Sequence, residues 1–383
     1  MNIAILGFGT VGQGIYHILD QRRSVLEEQC GQEITVKKIL VRDTKKRRGD
    51  FAVERLPLTD SFSDILTDGS IDIVFEVMSD GPKGVEYAGQ LLANNKHVIS
   101  ANKAAIASAF FKLQDIAREA GVHFRFEAAV AGGIPLIDPL SKIRHLNSIT
   151  GIGGIINGST NYILSELSSG RPHGEVMAEA KTLGVLEEDP TDDVEGYDAR
   201  RKIAILAAIV LSQEIEEENI PTIGITKLSE KDFLWAKSEN RTLKLVASLT
   251  RDNASYQLSV LPTALTDGNS LTRVGGVKNQ VQLTGDTIDS LAFYGSGGGM
   301  YPTAHALWAD FFDVINSKPT YYDKGKRQRD DLSLSREAEF YLREPEKGLA
   351  TVNKISVKDA LAYQNQGFVV IEKEQSFAAS ALR

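Results

Sequence analysis

Cysteine is nearly absent from the 383 residues: Cys30 is the sole thiol, which excludes an internal disulfide and a thiolate metal cluster. Long apolar runs are absent too. No stretch approaches the roughly 20 apolar residues a membrane-crossing helix requires, so no membrane partner is expected. A basic excess is also missing, and the formal net charge of −8 argues against nucleic acid as a partner. The amino terminus enters a strand directly, without the charged-then-apolar pattern of a signal peptide, so the expected location is cytoplasmic. What is present is ordinary for a globular chain, with 42% hydrophobic and 25% charged residues. The length exceeds what one core usually holds, which predicts roughly two or three domains.

Met1 to Leu6 reads as a short apolar strand, followed at once by Gly7-Phe8-Gly9-Thr10-Val11-Gly12 and a helical pattern from Gln13 to Leu19. A G-x-G-x-x-G pattern is specific when it is wedged between a first strand and a helix, as here. Its glycines allow a tight turn and close approach of backbone to a pyrophosphate, which the helix N-terminus attracts. The competing reading is a glycine turn with no ligand. The second strand, Ile34 to Val41, ends in Arg42, Asp43 and the basic run Lys45 to Arg48. At this place an arginine accommodates a 2′-phosphate, whereas an acid holds a ribose 2′-hydroxyl. Arg42 therefore favours NADP(H), and Asp43 keeps NAD(H) open. A solvated basic loop is the alternative for Lys45 to Arg48.

Strands Ile71 to Val77, His97 to Ser100 and Val122 to Glu127 alternate with helices from Lys83 to Ala93 and Lys103 to Arg118. That alternation predicts an α/β fold with a parallel, doubly wound sheet, whose ligands lie beyond the carboxyl ends of the strands. Ser79, Ser100, Asn102 and Lys103 occupy such ends. Lys103 either faces nicotinamide and substrate or is simply exposed. The run Ala128 to Pro135 breaks the pattern and marks the exit to a second domain. Strand-like Ile149 to Ile156 then leads into Asn157-Gly158-Ser159-Thr160-Asn161. Small hydroxyl residues at that turn suit a small polar substrate, and they serve equally as helix caps. Thr242 to Leu249, Tyr256 to Leu261 and Asn279 to Leu283 have period-two character and predict a largely antiparallel or mixed sheet. Gly295 to Gly299 is a second glycine-rich turn before a helix, Ala304 to Val314, and offers another approach to a cofactor.

The stretch from Gly184 to Lys202 carries seven carboxylates (Glu187, Glu188, Asp189, Asp192, Asp193, Glu195 and Asp198) and is broken by Pro190 and Gly196, so it begins as a loop. The apolar run Ile203 to Val210 that follows reads as a buried helix. Asp198 and Lys202 stand four apart and share one helical face. An ammonium held beside a carboxylate can exchange a proton with a substrate oxygen in reach. The alternative is an acidic solvated loop with a surface ion pair. Beyond the helix, Ser317 to Ser333 is polar and basic (Lys324, Lys326, Arg327, Arg329) and reads as a linker. The tail has strand candidates at Glu339 to Leu342 and Phe368 to Ile371 and no catalytic constellation.

The glycine motif, Ser100-Ala-Asn-Lys103, Glu127 to Pro135, Gly158 to Leu164, and Glu187 to Asp198 with Arg201-Lys202 occur in an order that resembles homoserine dehydrogenase from Met1 to about Val314. The resemblance implies a Rossmann-type dinucleotide-binding domain over residues 1–130, completed by about 300–316, and an α+β substrate and dimerisation domain over 131–299. A linker, 317–333, and a short C-terminal extension, 334–383, follow. Glu339 to Gly348 is faintly similar to the opening of an ACT domain, although the tail is too short for a complete one. The implied reaction interconverts L-aspartate 4-semialdehyde and L-homoserine with NAD(P)(H), toward threonine and methionine. By this resemblance Lys202 donates the proton, Asp198 contacts homoserine and orients that lysine, and Lys103 is a second lysine at nicotinamide and substrate. Glu187 binds the amino group, and Gly158, Ser159, Gly184 and Asp193 line the pocket. Cofactor contacts fall on Gly7, Phe8, Gly9, Thr10, Val11, Gly12, Arg42, Ser79, Ser100, Lys103 and Gly299.

The family also implies a monovalent cation, usually sodium, at the turn of Glu127, Val130, Gly132 and Ile134, and a homodimer or homotetramer. Three departures stand out: Val185-Leu186 precedes the binding acid where the family has an aromatic residue, Ser159 replaces a threonine, and the turn Ser79-Asp-Gly-Pro82 is atypical. Two other functions are weaker. An aldehyde dehydrogenase needs an activated cysteine, and Cys30 lies in a polar stretch unsuited to that. A nucleotide sensor without catalysis has no use for Lys103, Asp198 and Lys202 together.

Overall fold

The computed structural model describes residues 1–46, 51, 53–326 and 328–374. Arg47 and Arg48 of the first basic run, Arg327 of the second, and the end of the tail at 375–383 lie outside them. The chain divides into two compact units, one of Met1–Pro139, Ser212–Ile215 and Gly298–Gly325, the other of Leu140–Leu211, Glu216–Gly297 and Lys326–Arg383.

The first unit contains six parallel strands: β1 (Asn2–Leu6), β2 (Thr35–Leu40), β3 (Leu58–Thr59), β4 (Ile73–Glu76), β5 (His97–Ser100) and β6 (Phe124–Arg125). Their order is β3-β2-β1-β4-β5-β6, the order of a Rossmann sheet with its crevice where the winding reverses beside β1. β4 is buried along its whole length, as a parallel strand covered on both faces should be. The first helix runs Thr10–Cys30, well past the Leu19 expected from periodicity, and ends at Gly31 in the left-handed region (φ 72°). Cys30 is the last residue of this helix. β6 is only two residues, because Glu127–Ala129 turns into a short 3-10 helix. The distant helix Met300–Asn316 packs into the same core: Leu307, Trp308 and Phe311 join Ile15, Leu19 and Phe75. A side chain at Gly14 would collide with Met300 and Ala304, so the close approach of these two helices requires glycine.

The second unit is built on a mixed sheet of β7 (Ile149–Ile155), β8 (Arg241–Arg251), β9 (Ser255–Thr266), β10 (Lys278–Gly285), β11 (Asp289–Ser296), β12 (Asp330–Asp331), β13 (Glu337–Arg343), β14 (Ala350–Ser356) and β15 (Val369–Lys373). Its order is β11-β10-β7-β8-β9-β15-β13-β14, with β12 on β9; the pairs with β12 and β15 at β9 are parallel and the rest antiparallel. Helix Tyr197–Leu211 is apolar on nearly every side and correspondingly buried from Ile203 to Ile209. The tail extends this sheet. Ala338, Phe340, Leu342, Val357 and Val370 form one core with Ile223 and Leu261. Arg343 reaches the fully buried Asp232 at 2.7 Å, and Trp235 stacks on Tyr341 at 4.0 Å.

Candidate active site

In the second unit, strand β7 delivers Ile156 and Asn157 to the start of helix Gly158–Ser168. Asn157 is the N-cap: its Oδ1 accepts from the Thr160 N–H at 2.8 Å, satisfying a helix-start donor. That bond fixes the amide's orientation, so its nitrogen faces the other way and donates to Asp193 Oδ1 at 2.6 Å and Asp198 Oδ2 at 2.9 Å. Asp198 Oδ2 also accepts from Lys202 Nζ at 2.7 Å, one turn along helix Tyr197–Leu211. The ammonium donates to the Ile156 carbonyl at 2.8 Å as well. Lys202 and Asp198 are 8% and 3% exposed, which removes the reading of a surface ion pair. Burial lifts the Asp193 carboxyl above its ordinary range, the Asn157 amide opposes this, and the nearby Asp198 charge adds to it. The arrangement is an ammonium with a fixed direction, set among two carboxylates and an amide.

The acidic loop presents its residues differently. Gly184 takes a left-handed φ of 68° in open space, so it is the turn that needs glycine, not a neighbouring atom. The Ser159 hydroxyl donates to the Val185 carbonyl at 2.8 Å and so ties that loop to the helix start. Glu187 is exposed and has no ion pair among the described residues.

In the first unit, Gly7 adopts φ 97°, and a Cβ on Gly12 would stand 2.2 Å from the Gly7 carbonyl oxygen, so both glycines are obligatory for the turn. Gly9 is the N-cap of helix Thr10–Cys30, with no capping side chain and open space around its Cα. The helix thus offers its first N–H groups to an anion. Thr10 is exposed and Val11 half-buried, whereas Phe8 is buried edge-on against Tyr16 and Phe51 and offers only its backbone. Arg42 and Ser79 are exposed beyond β2 and β4, and Gly299 (φ 105°) caps helix Met300–Asn316. Ser100 points inward: its hydroxyl donates to Glu76 at 2.6 Å and accepts from the Asn102 N–H at 3.0 Å. Asn102 donates to the same carboxyl at 3.1 Å and caps the helix that begins at Lys103, itself half-buried. Glu76 has no solvent exposure, and burial pushes its pKa up to about 7.

The Glu127 carboxylate accepts from the N–H groups of Leu136, Ile137 and Asp138 and so caps helix Ile137–Leu146. Among the described residues no group of acidic, histidine or cysteine side chains could hold a metal. The turn's backbone is a different matter. Ala131 and Gly132 are left-handed (φ 61° and 53°), and no backbone N–H among the described residues meets the buried carbonyls of Val130, Gly132 or Ile134. Hard carbonyl oxygens suit an alkali cation.

The sequence profile of homoserine dehydrogenase matches residues 135–312, and that of the homoserine dehydrogenase NAD binding domain matches residues 7–127. The homoserine dehydrogenase of Bacillus subtilis is 36% identical over 318 residues, covering 83% of this chain and 73% of that protein. The chain belongs to the homoserine dehydrogenase family. Members are oxidoreductases, and this member has the family's NAD-binding domain. The crystal structure of a homoserine dehydrogenase from Thiobacillus denitrificans superposes with a TM-score of 0.87 at 30% identity, over 98% of each chain. A hyperthermophilic archaeal homoserine dehydrogenase in complex with NADPH gives 0.70 at 26% identity, over 84% of this chain and 99% of that one.

Of the residues that the resemblance to homoserine dehydrogenase singles out, the fold joins Lys202, Asp198 and Asp193, with Gly158 and Ser159 at the adjoining helix start. Glu187 stands exposed on its loop. Two residues escaped the sequence reading. Asn157 is signalled only by its place before a helix of small residues, the usual mark of a cap. Glu76 is signalled by one acid inside the otherwise apolar run of β4.

Proposed function

We propose that this homoserine dehydrogenase family member interconverts L-homoserine and L-aspartate 4-semialdehyde, with Lys202 as the proton-transferring group. The observation that carries this is the buried ammonium of Lys202, held at 2.7 Å by Asp198 and at 2.8 Å by the Ile156 carbonyl. Such anchoring fixes the position of Nζ, from which it can exchange a proton with a substrate oxygen placed beside it. In reduction Lys202 gives its proton to the aldehyde oxygen and recovers one from solvent; in oxidation it receives the hydroxyl proton. Asp198 favours the charged lysine, and Asn157 keeps Asp198 and Asp193 in register. The bound nicotinamide supplies or takes up the hydride at the substrate carbon. Asp193, whose ionisation burial and Asp198 oppose, gains from a substrate ammonium nearby, and Glu187 reaches that same ammonium from its loop.

The open cradle at Gly9 and the obligatory turn glycines Gly7 and Gly12 fit a dinucleotide pyrophosphate. Arg42, exposed after β2, grips a 2′-phosphate, so NADP(H) is preferred over NAD(H). Lys103 holds the nicotinamide end, with Ser79, Ser100 and Gly299 contributing backbone. The carbonyls of Val130, Gly132 and Ile134, with that of Glu127, hold sodium. The enzyme works as a homodimer or homotetramer in the cytoplasm.

The test is turnover of L-homoserine by the purified chain, read from nicotinamide absorbance, beside Lys202→Met. The variant should lose about 10²- to 10⁴-fold in kcat, the usual worth of a positioned general acid, and keep its dissociation constant for NADPH. A wild type silent with homoserine would overturn the reaction, and a variant within a few-fold of wild type would overturn the role of Lys202.

A further inference from the structure

Lys244, on β8, is 2% exposed, and no carboxylate among the described residues pairs with it. Its Nζ donates to Asn161 Oδ1 at 2.8 Å, to the Val274 carbonyl at 2.6 Å and to Ser165 Oγ at 3.3 Å. Three ammonium hydrogens meet three acceptors. Burial alone lowers its pKa to about 8. An unpaired buried charge is costly, and a neutral side chain would fill the same space. What the ammonium adds is direction: it can only donate, so it fixes Asn161 with its oxygen toward the lysine. The Asn161 nitrogen then faces the loop at 274–278 and donates to the carbonyls of Val274 (3.1 Å), Gly276 (2.8 Å) and Lys278 (3.1 Å).

That loop bears directly on the helix start. A Cβ on Gly158 would stand 2.7 Å from the Val277 carbonyl oxygen, so loop and helix are in backbone contact there. Gly158 follows Asn157, which bridges Asp193 and Asp198, and precedes Ser159, which holds the acidic loop. We propose that Lys244 and Asn161 are positioning residues for the substrate pocket, pinning the loop at 274–278 against the helix start that presents Asn157, Gly158 and Ser159. This rests on the assignment of that helix start to the amino-acid substrate. Neither residue touches the reacting atoms.

Asn161→Asp keeps the size and the acceptor toward Lys244 but replaces the donor to three carbonyls with a carboxylate that repels them. KM for L-homoserine should rise roughly ten-fold while kcat stays within about three-fold and the NADPH dissociation constant within about two-fold, the pattern of lost ground-state positioning. Tryptic cleavage after the exposed Arg273, at the edge of the loop, should quicken about ten-fold as local opening becomes easier. Lys244→Met should move both readouts the same way; if it fails to fold, Asn161→Asp decides. Unchanged cleavage overturns the clamp. Faster cleavage with unchanged KM overturns its role in the pocket, and so does a parallel loss of KM, kcat and nucleotide affinity. A wild type inactive on homoserine would instead sink the proposed reaction, and the cleavage rates would still decide the clamp.

Discussion

Replacing Glu76 by glutamine separates the charge of this buried group from its shape. Burial raises its pKa from 4.5 to about 7, against hydrogen bonds from Ser100, Asn102 and the Met78 N–H. The folded chain therefore holds this proton more tightly than the unfolded chain. The corresponding stability is fully present below pH 4.5 and is lost as pH rises through about 7. At about 1.4 kcal/mol per unit of pKa, that loss is roughly 3 kcal/mol. Glu76→Gln stays neutral throughout. Its amide oxygen can accept from Met78 and Asn102 while its nitrogen donates to Ser100, the same pattern as the protonated carboxyl, whose Oε2–H must point to that hydroxyl. The variant should match wild type in mild acid and be roughly 3 kcal/mol more stable near pH 8. The assay is urea unfolding of both proteins across that range, taken as variant minus wild type, so that Asp310 and Glu127, whose pKa values burial also raises, cancel. A difference flat to within about 0.5 kcal/mol would refute the reasoning, because Glu76 would then ionise alike in both states.

Arg42→Ala should weaken NADPH binding by about ten- to a hundred-fold, the worth of a charge-assisted contact, and leave NADH nearly unchanged. Equal losses in fluorescence titrations would remove Arg42 from cofactor discrimination. Glu187→Gln should raise KM for homoserine by a similar factor of about ten to a hundred with kcat little changed, and spare an analogue that lacks the amino group. If that analogue suffers equally, Glu187 is not the ammonium site. Truncation after Val314 strips β13, β14 and β15 from the second sheet, uncovers Ile223 and Leu261, and leaves Asp232 without Arg343. Loss of a partner to a buried charge alone costs about 3–5 kcal/mol, so the fragment should aggregate on expression; a soluble, active fragment would show that the tail is dispensable.

The sequence by itself determined whatever depends on neighbours along the chain. The strand-glycine-helix order at Leu6 to Gly12 announces a nucleotide turn, because backbone freedom and helix polarity are local. The four-residue spacing of Asp198 and Lys202 puts them on one helical face before any packing is known. Strand and helix alternation is enough for a doubly wound sheet. Boundaries were less legible: Thr10–Cys30 extends beyond its periodic core, and β11, an exposed edge strand, carries no alternation to betray it. Only the tertiary structure decided the rest. Burial turns the Asp198–Lys202 pair from a solvated contact into an oriented donor, and it depends on β7 arriving beneath the helix. Asn157 and Asp198 are 41 residues apart, Glu76 and Asn102 are 26, and Asn161 and Lys244 are 83. A hydrogen bond needs atoms within about 3 Å in a fixed direction, and no local pattern records which distant segments will meet that condition.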